Sequence, residues 1–185
     1  MEKSEIRSMV KKLRKEMPGS VLLEKSQIIC RRAMELSEFS AAGTVLAYMD
    51  CKGEVSTKPL IEEAWRLGKK VAVPKVEGDD MYYYYIDSFA DVADGYFHVP
   101  EPLEGQKQCQ AEAEDAVLIV PGVGFDQNRN RCGYGKGFYD RYLAAHRRHF
   151  TVALAFDFQI VDEVPVRPED IRPQMLITET RSWSR

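Results

Sequence analysis

The sequence lacks the long apolar runs that mark membrane and secreted proteins. Nowhere in its 185 residues does an apolar run reach the roughly 18 residues that a membrane-spanning helix requires. Residues 1–18 are charged throughout and therefore lack the apolar core of a secretory signal. We expect a cytoplasmic protein with no membrane partner.

Cysteine is scarce and shows no pairing pattern. The four cysteines, Cys30, Cys51, Cys109 and Cys132, include no Cys-x-x-Cys pair. Their spacing fits neither a zinc site nor the disulfide framework of a small secreted domain. The pattern favours a protein whose thiols stay reduced.

Positive charge is not in excess. The chain has 26 Lys and Arg against 29 Asp and Glu, a net charge of −3. Nucleic-acid binding needs a strongly basic surface, so we expect no nucleic-acid partner. A hydrophobic fraction of 44% is typical of a globular chain. The length suits a single domain over residues 1–185, which we expect to be a monomer or a weak homodimer.

Helical and strand-like patterns alternate along the chain. Apolar residues at helical spacing and helix-ending glycine or proline residues predict helices over 2–17, 20–36, 57–67 and 137–149. Short continuous apolar runs, typical of strands covered on both faces, occupy residues 44–49, 71–74, 116–120 and 151–156.

The remaining segments complete the predicted fold. Residues 81–86 form a tyrosine-rich strand in which we expect Tyr82 to Tyr85 to cover the sheet, and residues 87–110 are irregular. The alternation predicts an α/β fold, a three-layer α/β/α single domain with a mostly parallel central sheet. Because ligands of such sheets bind beyond the carboxyl ends of the strands, the segments after Met49, Val73 and Val120 are candidate sites.

The most informative segment is the glycine-rich stretch 121–140, which follows a predicted strand and precedes a helix. Three glycines alternate with Tyr134 and Lys136. Amides of such a loop at a helix N-terminus can cradle phosphate oxygens, and Arg131 and Lys136 add positive charge. The loop is not a Walker loop, because Gly137 follows the lysine. The residues alone predict an anion site of unknown type, and the alternative is a flexible turn with a solvated lysine.

Other candidates have a structural alternative as well. Asp140 falls in the first turn of the following helix, where a carboxylate either complements the helix dipole or binds Mg²⁺. Glu54 is either an exposed loop residue or a hydrogen-bond acceptor in the crevice. Lys3, Arg7 and Arg14 share one edge of the first helix and either form a solvated face or reach a ligand.

The string RCGYGKGFYDRYL at 131–143, with PGVGFD at 121–126, closely resembles the signature of the 5-formyltetrahydrofolate cyclo-ligase family. Other matching segments follow in the family's order: KSEIR at 3–7, GEVST at 53–57, PEP at 100–102 and AFDFQIVDEVPVRPEDI at 155–171. The similarity spans nearly the whole chain. It implies conversion of 5-formyltetrahydrofolate into 5,10-methenyltetrahydrofolate, coupled to ATP hydrolysis with Mg²⁺ and releasing ADP and phosphate.

The resemblance also implies a route and site residues. The γ-phosphoryl group is transferred to the formyl oxygen, and N10 then closes the ring. Lys136 and Arg131 are the implied catalytic cations. Implied ATP contacts are Lys3, Ser4, Glu5, Ile6, Arg7, Arg131, Cys132, Gly133, Tyr134, Gly135, Lys136, Gly137, Phe138 and Tyr139. Implied folate contacts are Met49, Glu54, Tyr134, Gly135, Lys136, Gly137 and Phe138, and Asp140 and Asp170 are implied near Mg²⁺.

Four positions depart from the family pattern. Arg129 stands where glycine is usual and Cys132 where leucine is common, which bears on the turn and packing of the loop. Glu169 replaces a frequent histidine and Gln174 a frequent aspartate, which weakens the inference for the tail. Cys132 is either a reactive thiol, if Arg131 lowers its pKa, or an inert loop residue.

Two other functions use the same loop. One is a small-molecule kinase that releases a phosphorylated product instead of closing a ring. The other is a non-catalytic regulator that binds a nucleotide or RNA. The acidic balance of the chain argues against RNA binding.

Overall fold

A computed structural model of the chain describes residues 1–108 and 116–185. Its α-helices are α1 (Lys3–Glu16), α2 (Gly19–Met34), α3 (Ser37–Ala41), α4 (Lys58–Arg66) and α5 (Phe138–Ala145). Its strands are β1 (Thr44–Leu46), β2 (Lys70–Glu77), β3 (Asp80–Ile86), β4 (Val92–Asp94), β5 (Pro100–Pro102), β6 (Ala116–Val120), β7 (Gly124–Phe125), β8 (Arg131–Cys132), β9 (Phe150–Leu154), β10 (Met175–Ile177) and β11 (Ser182–Ser184).

The central sheet has the strand order β11-β10-β9-β6-β1-β2-β3. The inner pairs are parallel, and the pairs at the two edges, β2 with β3 and β10 with β11, are antiparallel. Val45 of β1 is in register with Val71 on one side and Val117 on the other. Because the inner strands run in the same direction, their carboxyl ends meet at one edge of the sheet.

Apolar clusters fill both faces of the sheet. Val45 packs in a cluster with Ile29 of α2 and Ile61 of α4. Its neighbour Leu46 packs in a second cluster, with Leu143 of α5. Successive residues of a strand point to opposite faces, so a continuously apolar run serves both layers. The structure confirms the predicted α/β fold with a mostly parallel central sheet.

Helix α1 packs beside the carboxyl edge of the sheet. A capping box begins the helix, in which the Glu5 carboxylate accepts a hydrogen bond from the Glu2 N–H. Ile6 and Val10 are buried on one face and pack in a third apolar cluster with Val123. This packing places the basic edge of α1 against the glycine-rich loop.

Several predicted bounds were wrong. The predicted helix 20–36 ends at Met34, and a separate short helix, α3, follows. The predicted helix 137–149 ends at Ala145, because His146 adopts a non-helical conformation with φ −125° and ψ 64°. The predicted strand 44–49 is shorter, since β1 ends at Leu46 and is followed by one more bond to β2, from the Ala47 N–H to the Ala72 carbonyl at 3.0 Å. The chain beyond it turns toward α4, where the Tyr48 carbonyl accepts a hydrogen bond from the Thr57 hydroxyl at 2.7 Å.

Regular structure occurs in residues 87–108, the described part of the segment predicted to be irregular. Strands β4 and β5 pair there in an antiparallel ribbon. Proline is tolerated in β5 because the ribbon has only two strands. Residues 109–110 of that segment, and Cys109 with them, lie outside the described residues. Within residues 1–108 and 116–185, no helix has both the length and the apolar character needed to span a membrane.

Candidate active site

A cleft of about 870 Å³ opens at the carboxyl edge of the sheet. Residues of α1, of the segment after β1, of the glycine-rich loop and of the tail line it. The implied site residues that line this cleft are Lys3, Arg7, Met49, Glu54, Arg131, Gly133, Tyr134, Gly135, Lys136, Gly137, Phe138, Tyr139, Asp140 and Asp170. Segments that are far apart in the sequence therefore meet in one cavity.

Four implied ATP contacts do not line the cleft. Ile6 and Cys132 are fully buried and pack together in the third apolar cluster. Ser4 and Glu5 lie exposed on α1, and the Glu5 side chain caps the helix. For the three residues on α1 the reason is helical geometry, because Lys3 and Arg7 are four residues apart and face the cleft while the residues between them turn away. Cys132 lies in β8 and packs in the third cluster instead.

The glycine-rich loop folds as a hairpin that leads into α5. Strand β7 pairs with β8. The Asp126 carboxylate stabilises the turn between them by accepting hydrogen bonds from the backbone N–H groups of Asn128 and Asn130 at 2.9 and 3.0 Å. Gly137, the N-cap of α5, has a φ of 71° that glycine adopts without strain. Lys136 precedes it with an exposed side chain at the cleft.

Arg131 lies buried under the loop and pairs with Asp140. Its Nη2 is 2.7 Å from the Asp140 Oδ1, and its Nη1 donates to the Pro121 carbonyl at 3.3 Å. The same carboxylate oxygen accepts a hydrogen bond from the Ile171 N–H at 3.1 Å. The sequence predicts that Arg131 contacts the ligand. In the structure its guanidinium also pairs with Asp140 in the first turn of α5.

Helix α1 makes two polar contacts at the cleft. Lys3 Nζ lies 2.5 Å from the Asp170 Oδ2, which also accepts from the Arg167 N–H at 2.7 Å. Burial alone would raise the pKa of Asp170, but these partners hold it below its usual value. The Arg7 Nε donates to the Gly133 carbonyl at 2.8 Å, which joins α1 to the glycine-rich loop.

Glu54 is a buried carboxylate that lines the same cleft. Its Oε2 accepts a hydrogen bond from the Cys51 N–H at 3.0 Å, and its Oε1 accepts one from the Tyr134 hydroxyl. Burial raises the pKa of Glu54, and the bonds from Tyr134 and Cys51 partly oppose that rise. The alternative of an exposed loop glutamate is wrong, since this residue is only 9% exposed.

Arg14, a candidate from the basic edge of α1 that the family resemblance does not assign to the site, contacts a residue of the cleft. Its Nη1 lies 2.9 Å from the Tyr134 hydroxyl, although the two residues are 120 apart in sequence. The available signal was its place on the same edge of α1 as Lys3 and Arg7. The alternative of a solvated face is wrong for Arg14, which is buried.

The carboxylates fit a magnesium ion that is shared with a phosphate ligand. Among residues 1–108 and 116–185, no group of three or more His, Cys, Asp or Glu gathers to hold a metal. Mg²⁺ usually takes only one or two carboxylates, with phosphate oxygens and water completing its shell. Asp140 and Asp170 both line the cleft, and the bonds described above use one oxygen of each.

Two other expectations have an outcome here. Burial raises the pKa of the Cys132 thiol in spite of nearby Arg7, Lys3 and Arg131, which favours the inert residue over the reactive thiol. The tyrosine strand covers the sheet in part, since Tyr83 is buried in the second cluster and Tyr85 packs against it, whereas Tyr82 is 38% exposed.

Comparison with known proteins identifies related sequences over the whole chain. A model of the 5-formyltetrahydrofolate cyclo-ligase family matches residues 1–179. The 5-formyltetrahydrofolate cyclo-ligase of Escherichia coli (strain K12) is 30% identical over 181 residues, which cover 95% of this chain and 99% of the relative. A probable 5-formyltetrahydrofolate cyclo-ligase of Schizosaccharomyces pombe is 28% identical over 194 residues, covering 96% and 95% of the two chains.

Solved structures with this fold include two synthetases. The NMR structure of Aquifex aeolicus 5,10-methenyltetrahydrofolate synthetase superposes with a TM-score of 0.85 and 34% identity, covering 100% of this chain and 93% of that one. A 5,10-methenyltetrahydrofolate synthetase from Mycoplasma pneumoniae has a TM-score of 0.78, and at 21% identity it supports the fold alone.

Proposed function

The chain belongs to the 5-formyltetrahydrofolate cyclo-ligase family of enzymes, and on this premise we propose that it converts 5-formyltetrahydrofolate into 5,10-methenyltetrahydrofolate at the expense of ATP. ADP and phosphate are the other products, and Mg²⁺ accompanies the nucleotide. One observation carries the proposal. A buried carboxylate, Glu54, and a glycine-rich loop bearing Lys136 line the same cleft.

The Glu54 wall is the folate side of the proposed site. A pterin ring presents an amino group and a ring N–H side by side, and an ionised carboxylate can accept a hydrogen bond from each. Glu54 sits in a desolvated position where such bonds are strong. Met49, which also lines the cleft, offers an apolar contact beside it.

The loop wall is the nucleotide side. Lys136 follows Gly135 and precedes the Gly137 N-cap, so it stands at the N-terminus of α5, where the first backbone amides have no partner within the helix. Lys3 and Arg7 add two cations from α1. We place the phosphate chain between them, and Ser4, Glu5, Ile6 and Cys132 have no side-chain part in this proposal.

The proposed reaction requires the protein to align the two substrates and to neutralise the charge of the phosphates. The formyl oxygen attacks the γ-phosphorus, and the bond to the β–γ bridging oxygen breaks to release ADP. The N10 amine then attacks the activated formyl carbon, gives up its proton, and expels phosphate with the former formyl oxygen. No side-chain nucleophile takes part, so alignment in one cleft and charge neutralisation by Lys136 provide the catalysis.

Magnesium fits the same arrangement. When bound, Mg²⁺ would neutralise charge on the phosphate oxygens, and Asp140 and Asp170 would hold it. Arg131 orients Asp140 for this task through their ion pair. The cytoplasmic location and the monomeric or weakly dimeric state stay predictions.

Product analysis tests the proposal against the kinase alternative. The protein is incubated with 5-formyltetrahydrofolate and MgATP, and the absorbance of the methenyl product is followed with each component omitted in turn. We expect absorbance only when both are present, with ADP formed in equal amount. ADP together with a stable phosphorylated folate would instead support a kinase.

A further inference from the structure

Arg14 occupies an unusual position for a charged residue. It continues the buried face of α1 that begins with Ile6 and Val10, at successive four-residue steps. An apolar side chain suits such a position, and a guanidinium there loses hydration that only good partners can replace. The burial of Arg14 therefore calls for a reason beyond packing.

The partners of Arg14 lead to Glu54. Its Nη1 donates to the Tyr134 hydroxyl at 2.9 Å, and that hydroxyl donates to the Glu54 Oε1. Its Nη2 donates to the Gly122 carbonyl at 3.3 Å, and its buried Nε has no hydrogen-bond partner among the described residues. The three side chains form a chain from cation through hydroxyl to carboxylate, which we call the Arg14–Tyr134–Glu54 relay.

The stem of Arg14 lies beside the backbone that precedes Glu54. Gly53 has a φ of 74°, and a Cβ built on it would lie 3.5 Å from the Arg14 Cβ. The stem of Arg14 thus packs against the residue that precedes Glu54. Arg14 itself does not line the cleft, so it acts on the carboxylate from behind.

We propose that Arg14 is a positioning residue of the folate side, which keeps the Glu54 carboxylate charged and oriented through the Tyr134 hydroxyl. The inference rests on the proposed role of Glu54 as the acceptor for the pterin. A neutral carboxylic acid presents a donor in place of one acceptor, so it cannot accept hydrogen bonds from two pterin N–H groups through both oxygens. Loss of the Arg14 charge should favour the protonated form of Glu54. Folate binding should therefore weaken over the pH range in which the variant is protonated and the wild type is not.

The groups around Glu54 fix the sign of the effect. Arg14 faces it from α1, Tyr48 and Cys51 from the segment around the end of β1, and Tyr134 and Tyr139 from the glycine-rich loop and α5. Burial raises the pKa of Glu54, whereas Arg14 and the Tyr134 hydrogen bond lower it. Removing either one should raise this pKa further.

Calorimetric titration with 5-formyltetrahydrofolate, without ATP, tests the proposal between about pH 5.5 and 8.5. The variants are Arg14→Met, Arg14→Lys and Tyr134→Phe, and Lys12→Met is the matched control, since Lys12 is 78% exposed on the same helix. In wild type, Kd rises as the pH falls through the pKa of Glu54. We expect Arg14→Met to move this rise to higher pH, with Kd about tenfold above wild type at the acid end and convergence at the alkaline end.

The other variants separate charge from packing. Arg14→Lys should restore part of the wild-type profile, because it keeps the charge, and Lys12→Met should not change it. Tyr134→Phe removes a single oxygen and should shift the profile in the same direction, so it carries the test if Arg14→Met fails to fold. An equal rise of Kd at every pH, or an unchanged profile, would overturn the proposal.

This design keeps the two hypotheses apart. Wild-type protein that binds the folate but forms no methenyl product would contradict the proposed reaction while the binding profiles still test Arg14. Wild-type protein that binds no folate would overturn both.

Discussion

Arg131 and Asp140 are nine residues apart in sequence and form an ion pair that closes the glycine-rich loop onto the first turn of α5. The Arg131 side chain is only 5% exposed, so the Asp140 carboxylate compensates a buried positive charge. Asp140 therefore has two roles in our account. Its ion pair holds the loop, and in the proposed reaction it binds Mg²⁺.

Replacing Asp140 by Asn should affect both roles. We expect a higher Mg²⁺ concentration for half-maximal turnover, because an amide is a weaker ligand than a carboxylate. We also expect the free energy of unfolding to fall by about 1.5–3 kcal/mol, the value of a hydrogen bond to a charged group. Magnesium titrations of turnover and urea unfolding measure the two effects.

The exposed Asp162 provides the matched control for that variant. Asp162→Asn should alter neither quantity. An unchanged metal requirement in Asp140→Asn would move the metal site elsewhere, and an unchanged stability would show that the ion pair does not hold the loop.

Replacing Lys136 by Ala should remove most of the turnover and leave the fold intact. Its side chain is exposed, so little packing is lost. Removal of one charge-stabilising donor from an active site typically lowers kcat by about 10²–10³-fold. Methenyl absorbance measures the rate, and circular dichroism checks the fold. Lys11→Ala, at an exposed position of α1, is the control, and near-normal turnover by Lys136→Ala would refute the role given to this lysine.

The Lys3–Asp170 pair predicts a pH-dependent stability. The pKa of Asp170 in the folded protein is lowered, so its contribution is present above the unfolded value of about 3.9 and is lost as the pH falls through the folded pKa. Asp170→Asn should therefore be less stable than wild type at neutral pH. The difference should shrink below about pH 4, where Asp170 of the unfolded wild-type chain takes up a proton before Asp170 of the folded protein does.

Urea unfolding at several pH values follows this difference. Glu169→Gln changes an adjacent exposed carboxylate and should show no comparable trend. A stability loss in Asp170→Asn that is the same in acid and at neutral pH would mean that the carboxylate contributes through shape and not through its charge.

Gly124 tests the packing of α1 against the glycine-rich loop. A Cβ at this position would lie 2.5 Å from the Ile6 Cγ2. Gly124→Ala should therefore destabilise the protein by about 1–3 kcal/mol, as overpacked cores do. Gly19→Ala is the matched control, because a Cβ there meets nothing within 4 Å. It should be neutral or more stable by up to about 1 kcal/mol, and equal effects of the two variants would contradict the close packing.

The sequence predicts the framework of this protein well, for a physical reason. Strands such as β6 are covered on both faces, and five consecutive buried residues leave a continuous apolar run that few other structures produce. The glycine-rich loop could likewise be located, because its glycines and cations are contiguous and follow such a strand.

Partnerships across the fold could not be predicted in the same way. No local pattern joins Arg14 to Tyr134, or Lys3 to Asp170, since the packing of α1 against the sheet edge brings them together. The end of α5 at Ala145 could not be predicted either, because no glycine or proline follows it directly. Resemblance to the family supplied most of the site residues that spacing alone left open.

The most direct test of the account follows the formyl oxygen. With ¹⁸O in the formyl group of 5-formyltetrahydrofolate, phosphorylation of that oxygen and closure by N10 must transfer the label to the phosphate released. Mass spectrometry of the phosphate should find one ¹⁸O for each methenyl product formed. Unlabelled phosphate beside a full yield of product would contradict the proposed reaction at this cleft.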